Sequence, residues 1–166
     1  MKYPHPPLDM ILARLKYNPR TGLLRRKINV GKGLIGSVAG TLSPDGYVRV
    51  GVMYKMYLAH RLIWYMQTGA WPKHEVDHRN GNRADNRWRN LREATREQNI
   101  ANSPARTTNK IGIKGVRWHV AGGAWQARMF LNGKDMHLGL FDTPEQAGAA
   151  YVKAAKKHFG EFARVR

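Results

Sequence analysis

The chain has 166 residues, which is enough for one ordinary domain or two small ones. Its 29 Lys and Arg residues against 11 Asp and Glu residues give a net charge of +18. A compact state repels itself at that charge, so nucleic acid is the expected partner and a generic basic structural protein is the alternative. The absence of cysteine excludes disulfides and thiolate zinc sites, and no segment has the apolar length of a membrane span or signal core.

Local signals in the first seventy residues predict two helices and two strands. Apolar residues three and four positions apart predict the helices, and short apolar runs after turn residues predict the strands. The predicted elements are a helix over 8–15, a strand from Leu23, a strand over 47–52 after the turn at 43–46, and a helix over 60–67 that Gly69 ends.

The segment over 10–44 carries seven basic residues and no acidic one. Its basic residues at 25–27 and at Lys32 lie close to three glycines, which would let a phosphate backbone approach closely. A solvated loop is the alternative interpretation. The charge of the whole chain favours contact with a nucleic acid backbone.

His60 stands at the start of the second predicted helix and has two interpretations. It could be a second catalytic histidine. A histidine at such a position is more often packed and hydrogen-bonded, and we predict this structural role.

Residues 75–99 carry the most informative chemical pattern of the chain. A short apolar run that ends at Asp77 and His78 predicts a strand. A loop rich in Gly and Asn follows, and residues 90–95 predict a second strand. The order of strand, loop and strand is then completed by a helix.

A capping-box signature marks the start of that helix, with Thr95 as N-cap and Gln98 three residues later. The box places Asn99 on the first turn of the helix. Its side chain would there face the strand that carries Asp77 and His78.

These residue types suit metal-assisted chemistry. Asp77 offers an anionic oxygen and Asn99 a neutral one, and two such ligands suit Mg²⁺, with Mn²⁺ as an alternative. His78, next to Asp77, could be a general base with a pKa near neutrality. A divalent cation beside a base is what phosphodiester hydrolysis needs. The alternative is that Asp77 and His78 are ordinary loop residues and that the asparagines only form turns.

The run of Asp77-His78, Asn90-Leu91-Arg92 and Asn99 resembles the HNH nuclease motif, in the version that ends in Asn. The similarity continues upstream through residues 59–64 and 69–72. It points to phage and intron-encoded homing endonucleases with a ββα-metal core. The resemblance implies that His78 is the general base, that Asp77 and Asn99 hold one divalent metal, and that Asn90 belongs to the catalytic site as a brace for the loop that orients His78.

Arginines surround the predicted metal site, and their forked guanidinium groups suit phosphate oxygens. The polar linker over 102–111 contains a proline and could follow a DNA groove. In these two regions we predict DNA contacts from Arg79, Arg83, Arg87, Arg106 and Lys110. Asp85 and Asn86 are interpreted as a turn element.

A second small unit is predicted after the linker. Alternating residues and two glycine-containing hairpin turns predict three antiparallel strands, over 115–120, 124–131 and 134–141. Thr143 as N-cap and Pro144 in the first turn predict a helix with alanines along one face.

Strand alternation divides the side chains of this sheet between two faces. An apolar face should pack on the helix and carries Val116, Trp118, Val120, Trp125, Ala127, Met129, Met136 and Leu138. A basic, polar face should read base edges in the major groove and carries Arg117, His119, Gln126, Arg128 and His137.

This unit resembles the AP2 DNA-binding domain over about residues 112–163. The similarity rests on the segments 115–117, Trp125, 138–143, Glu145 and 149–151. It implies DNA recognition by the sheet. His137 and Arg128 depart from the residues that the family often has there, so the base sequence read by plant members does not carry over.

Together these patterns predict an α+β protein with an N-terminal ββα-metal HNH nuclease module over 1–101. A basic linker over 102–111 and an AP2-like three-stranded antiparallel sheet with a helix over 112–166 would follow. The predicted function is site-specific cleavage of double-stranded DNA with a divalent metal and no obligate small-molecule cofactor. We expect no membrane partner, a location in the host-cell cytoplasm if the protein is phage-encoded, and a form compatible with a monomer.

Two other function classes remain open. A non-catalytic, sequence-specific DNA-binding regulator with a degenerate HNH core is the main alternative. An RNA-binding basic protein is a third interpretation, and the small number of aromatic residues predicted on the outer sheet face weighs against it.

Overall fold

The structure is a computed structural model and describes residues 5–164. The chain divides between Glu93 and Ala94 into two compact units. The division falls before the helix over 96–102, which therefore groups with the second unit. The predicted module boundaries at residues 101 and 111 remain a prediction.

The first unit consists of short helices and small antiparallel sheets. Its helices are α1 (Leu8–Arg14) and α2 (Ala59–Thr68), and a 3₁₀ turn covers Trp88–Asn90. Its strands are β1 (Leu15–Tyr17), β2 (Leu24–Arg26), β3 (Thr41–Leu42), β4 (Val48–Val52), β5 (Lys55–Leu58), β6 (Glu75–His78) and β7 (Leu91–Ala94). The sheets are β1–β2, β3–β4–β5 and β6–β7.

The core of the first unit holds the strand of the predicted catalytic residues in place. Ile11 from α1 and Leu62 and Ile63 from α2 are its most deeply buried large side chains. Burying one such side chain contributes about 1.5–3 kcal/mol. Val76 of β6 and Leu91 of β7 belong to the same apolar cluster, so the two strands are anchored directly to this core.

The first helix is present as predicted, but its end and its exposed side differ from the prediction. The helix ends at Arg14, Leu15 already starts β1, and Leu12 is exposed although it shares the predicted apolar stripe. Strands β1, β3 and β5 were not predicted, and the segment 54–56 was interpreted as a tight connection. These strands span only two to four residues, which is too short for a local periodicity to mark them.

The second unit is a three-stranded sheet with two helices. Its elements are α3 (Arg96–Asn102), β8 (Val116–His119), β9 (Ala124–Leu131), β10 (Lys134–Phe141) and α4 (Pro144–Phe159), with 3₁₀ turns at Val120–Gly122 and Gly160–Phe162. The strands are antiparallel in the order β8–β9–β10. The predicted bounds of β9 and β10 and both predicted capped helix starts are confirmed.

Helix α3 packs into the core of the second unit. Ala101 lies in one apolar cluster with Met129 of β9 and with Tyr151 and Phe159 of α4. This cluster buries the face of α3 that carries Ala101. The helix predicted to complete the nuclease motif is thus stabilised by the sheet-and-helix unit.

A half-buried lysine holds the carboxyl end of α3. The Lys114 ammonium donates to the backbone carbonyls of Ile100, Ala101 and Ser103 at 2.5, 2.8 and 2.7 Å. These carbonyls lie at the negative end of the helix, where a cation is favoured. Burial nevertheless lowers the pKa of Lys114 to about 8, with the charge of Arg164 as a second cause.

The predicted inner face of the sheet is confirmed in its centre and wrong at its edge. Val116, Ala127 and Met129 are buried, whereas Trp118 is half exposed and Val120 lies in an exposed 3₁₀ turn. Strand β8 is an edge strand, and Trp118 packs there against Trp125 with ring centroids 5.1 Å apart. None of the helices within residues 5–164 is long and apolar enough to cross a membrane.

Candidate active site

Strand β6 brings two ionisable side chains into the interior, since Asp77 and His78 are both almost fully buried. Burying an ionised carboxylate is costly unless a partner compensates for the lost hydration. The partner of Asp77 comes from β7, where the Nε atom of Arg92 donates to Oδ2 of Asp77 at 2.9 Å. Arg92 is equally buried, so the two strands share an internal ion pair.

His78 has a defined partner in the loop between the two strands. Its Nε2 atom lies 3.1 Å from Oδ1 of Asn86. The amide nitrogen of Asn86 donates to the carbonyl of Ala84 at 3.3 Å, which turns the amide oxygen toward the imidazole. In a neutral ring that donates from Nε2 to this oxygen, Nδ1 holds the lone pair.

Burial keeps this imidazole in its neutral form. It lowers the pKa of His78 below the ordinary value of 6.5, against the raising effects of the Asn86 hydrogen bond and of the Asp77 and Asp85 charges. A histidine that is neutral at physiological pH can accept a proton, as a general base must.

Asn90 ties together the loop that carries Asn86. Its Oδ1 atom accepts from the backbone N–H of Asn80 at 3.0 Å, and its Nδ2 atom donates to the carbonyl of Asp85 at 2.7 Å. The backbone of Asn90 also accepts from the N–H of Arg79 at 2.8 Å. This geometry suits the predicted bracing role, which remains a prediction.

Asp85 and Asn86 do more than form a turn, although the sequence interpretation assigned them no other role. Asn86 contacts the proposed base, and Asp85 binds Arg87 through two hydrogen bonds of 2.7 and 2.5 Å. These bonds lower the pKa of Asp85 to about 2. The predicted phosphate ligand Arg87 is thus already paired with a carboxylate.

The other predicted arginines of this region differ in their contacts. Arg83 donates to the carbonyl of Asp45 at 2.9 Å, and its guanidinium stacks over the ring of Tyr47 at 4.9 Å. Arg79 is exposed. Arg83 therefore links the loop to the turn before β4, in addition to any contact with DNA.

His60 lies against the proposed base. Its ring is 4.9 Å from that of His78 and nearly perpendicular to it, and the ring of Tyr47 packs on His60 at 5.2 Å. The prediction of a packed histidine is confirmed, but its Nδ1 atom has no hydrogen-bond partner among the described residues. Burial lowers the pKa of His60 to about 3, with the nearby His78 and Arg61 as further causes.

Comparison with known proteins agrees with the motif on these strands. The HNH endonuclease family model matches residues 57–101. Protein 3.8 of Escherichia phage T7 is 30% identical over 114 residues, which cover 68% of this chain and 93% of that protein. This chain belongs to the HNH endonuclease family.

A solved structure of the HNH homing endonuclease I-HmuI, concerned with DNA binding and cleavage, also aligns with the chain. The alignment covers 89% of this chain and 78% of that chain, with 19% identity and a TM-score of 0.42. That score is too low to support an argument about structure, so the assignment to the HNH family rests on the sequence matches.

The HNH motif divides between the two compact units. Asp77, His78 and Asn90 belong to the first unit, whereas Asn99 lies on α3 in the second. Four residues separate Asn99 from Ala94, the last residue of β7. The pairing of Asn99 with Asp77 at one metal site remains a prediction.

The outer face of the second unit carries a lateral network of predicted DNA contacts. Arg117 donates through Nε to Oε1 of Gln126 at 2.7 Å, and Nε2 of Gln126 lies 2.9 Å from Nδ1 of His137. These three residues come from three neighbouring strands. Arg128 is on the same face and forms a 3.3 Å ion pair with Asp135, which is weak because both side chains are exposed.

The remaining candidates lie beside this face or support it. Arg106 and Lys110 are exposed and line an open cleft of about 560 Å³, together with Arg117 and Arg128. No acidic residue lines this cleft in the described part of the chain. His119 accepts the N–H of Gly122 at 3.0 Å and caps the 3₁₀ turn, a role that strand alternation did not predict.

Proposed function

We propose that this HNH protein is a site-specific endonuclease of double-stranded DNA, with His78 as general base and Asp77 and Asn99 as ligands of one divalent metal. The observation that carries the proposal is the buried His78–Asn86 pair, next to Asp77. In the proposed mechanism, Nε2 donates to Asn86 and Nδ1 of the neutral imidazole accepts the proton. Since one relative is a phage protein, the proposed setting is the cytoplasm of a phage host.

The tautomer of His78 determines which ring nitrogen takes up the proton. As the oxygen of a water molecule bonds to phosphorus, its proton moves to Nδ1 of His78 and the ester bond to the leaving oxygen breaks. Nε2 keeps its proton and its hydrogen bond to Asn86 throughout. The imidazolium that results is stabilised by that bond and by the nearby charges of Asp77 and Asp85.

The donor set fits a hard cation such as Mg²⁺, with Mn²⁺ as the alternative. A carboxylate has about four lone-pair positions, so a carboxylate that accepts from Arg92 can also bind a cation. Within residues 5–164 no three His, Asp or Glu side chains form a metal cluster, so waters and DNA phosphate oxygens would complete the coordination. When bound, the metal would stabilise the charge that develops on the phosphate and on the leaving oxygen.

The AP2-like sheet of the second unit is proposed to aim the enzyme. Arg117, Gln126 and His137 are already held in one row across three strands. Such preorganised donors suit hydrogen bonds to base edges in a major groove. Arg106 and Lys110 would contact phosphates, which position the protein without reading sequence.

The test is cleavage of a supercoiled plasmid with Mg²⁺, with Mn²⁺ and with EDTA, using the wild-type protein, His78→Ala and the control His74→Ala. His74 is an exposed histidine four residues before His78. We expect metal-dependent cleavage that His78→Ala abolishes and His74→Ala retains. Tight DNA binding without cleavage under any metal would instead support the non-catalytic regulator, and undiminished cleavage by His78→Ala would remove the histidine from the mechanism.

A further inference from the structure

A projection of the first unit, residues 25–38, exposes more apolar surface than a solvated loop requires. Leu34 and Ile35 are 66% and 63% exposed, and Ile28, Val30 and Val38 are exposed as well. Apolar side chains gathered on one short segment indicate a binding surface, because scattered exposure is normal but clustered exposure is costly. The projection lies outside the active site described above.

The projection has a defined backbone conformation. Val30 and Gly33 exchange two hydrogen bonds of 2.9 Å and close its tip, and Arg26 pairs with Ser37 and Gly36 at its base. The Arg25 guanidinium donates to the carbonyl of Gly36 at 2.7 Å. These bonds fix the backbone that carries the exposed apolar side chains, so little further ordering is needed on binding.

The charge around the projection indicates which class of partner it binds. Residues 10–44 carry basic side chains and no acidic one, and the whole chain has a charge of +18. A second copy of this chain would bring the same positive charge against the patch and be repelled. DNA combines an anionic rim of phosphates with an apolar interior of stacked bases. A surface with apolar side chains among cations fits that combination.

The base of the projection is joined to the loop that carries Asn86. Tyr17 donates through its hydroxyl to the Asn86 carbonyl at 2.8 Å, and the backbone N–H of Trp88 donates to the carbonyl of Pro19 at 3.1 Å. Gly22, between β1 and β2, has φ +77°, and a Cβ there would lie 2.6 Å from the backbone nitrogen of Arg87. The β1–β2 hairpin therefore touches the active-site loop at its turn.

This connection limits the distance from the site to the tip. Arg26 lies four positions after Gly22, its carbonyl accepts from the N–H of Gly36 at 2.8 Å, and Leu34 lies two positions before Gly36, so Leu34 is at most about 28 Å from Gly22. One turn of B-DNA is about 34 Å long. Both the scissile phosphate and the projection can therefore contact DNA within the same helical turn.

We infer that the 25–38 projection is an apolar wedge that inserts Leu34 and Ile35 between base pairs of the bound duplex, within one turn of the scissile phosphate. Leu and Ile are side chains that proteins use to unstack a base step from the minor groove. Unstacking would kink the duplex, and the surrounding cations would hold the flanking phosphates. The inference rests on the proposed function, because it requires DNA as the partner.

The test measures base unstacking in EDTA, so that it does not depend on cleavage. Synthetic duplexes carry one 2-aminopurine at successive positions across the footprint that the protein protects in EDTA, and the fluorescence of this base rises when it is unstacked. We expect a several-fold rise at one step within about ten base pairs of the cut. Leu34→Ser/Ile35→Ser should abolish the rise and weaken binding about tenfold or more, the scale of losing anchor side chains.

Met53→Ser/Met56→Ser is the matched control, because these two side chains are 44% and 61% exposed on the β4–β5 hairpin outside the projection. It should keep both fluorescence and affinity, and the melting temperature of all three proteins should be similar. Tight binding without a fluorescence rise would overturn the wedge alone. Absence of any DNA binding would overturn the proposed function together with the wedge. A wild-type dimer that the Leu34/Ile35 variant dissociates would also overturn it, because the occupant would be a second copy.

Discussion

The two units of this HNH protein use polar side chains in opposite ways. In the first, Asp77, His78 and Asn86 are buried and each is held by a partner within the loop or the facing strand. On the sheet of the second, Arg117 and His137 are exposed and connected only through Gln126. A proton acceptor must have a fixed direction and protonation state, whereas a base reader must be able to exchange its partners for DNA.

The largest effect should come from removing the second unit. A chain that ends at Asn109 keeps α3 but loses Met129, Tyr151 and Phe159, which bury Ala101. It also loses Lys114 from the end of the helix. We expect α3, with Asn99, to lose its fixed position, and cleavage to disappear altogether in the plasmid assay. A truncated protein that cuts at random sites would show that the first unit is an autonomous nuclease.

Replacing the proposed base should have the next largest effect. His78→Ala should lower the cleavage rate by about 10²–10⁴-fold, the usual contribution of a general base. DNA affinity in EDTA should change little, since a buried, neutral ring contributes no charge and little surface to DNA binding. Single-turnover rates on a saturating duplex separate the two quantities.

The pH–rate profile of the wild-type enzyme also tests whether His78 is the general base. The pKa of His78 is lowered by burial, so the ring stays neutral as the pH falls to 6.5 and the rate should persist there. The acid limb should lie below pH 6.5. A limb at or above that value would mean that bound DNA or metal changes the environment of the ring.

Asp77 should affect stability as well as cleavage. Asp77→Ala leaves the Arg92 guanidinium buried without its carboxylate, which costs about 3–5 kcal/mol for a broken internal pair. Asp77→Asn keeps an oxygen for Arg92 and should cost much less. Both variants should fail to cleave, so urea unfolding of the two proteins distinguishes the structural from the chemical role. Equal stability of the two would contradict the importance of the buried pair.

His60 should make the first unit sensitive to acid. Its pKa is about 3 in the folded protein and about 6.5 when unfolded, so only the unfolded state takes up a proton between these values. Unfolding free energy should therefore fall as the pH drops below 6.5, by on the order of 3 kcal/mol at pH 4. His60→Phe removes this titration. Denaturation at pH 7 and pH 4 should show a smaller loss in the variant, with His78 accounting for part of what remains.

The smallest effects should come from the exposed sheet. Arg117→Ala should relax the preference at one base position by about 1–3 kcal/mol and leave cleavage of a saturating substrate unchanged. Arg106→Ala, from the cleft beside the sheet, is the control for a phosphate contact and should weaken binding evenly across sequences. Cleavage-site sequencing on a randomised library measures both. Unchanged preference with Arg117→Ala would assign sequence reading to another surface.

The sequence by itself determined the elements whose signals are local. Strands β9 and β10 and the starts of α3 and α4 follow from hairpin glycines and from capping boxes within four residues, which act before any tertiary contact forms. The motif of Asp77, His78 and Asn90 was also readable, because family membership is carried by residue identity and spacing.

The tertiary structure decided the features that depend on partners distant in sequence. It placed Asn86 on His78, packed His60 on the same ring without a partner for Nδ1, and paired Arg92 with Asp77 across two strands. It also packed α3 into the core of the second unit. None of these has a local signature, because burial and long-range hydrogen bonding are set by how the chain packs and not by the pattern of neighbouring residues.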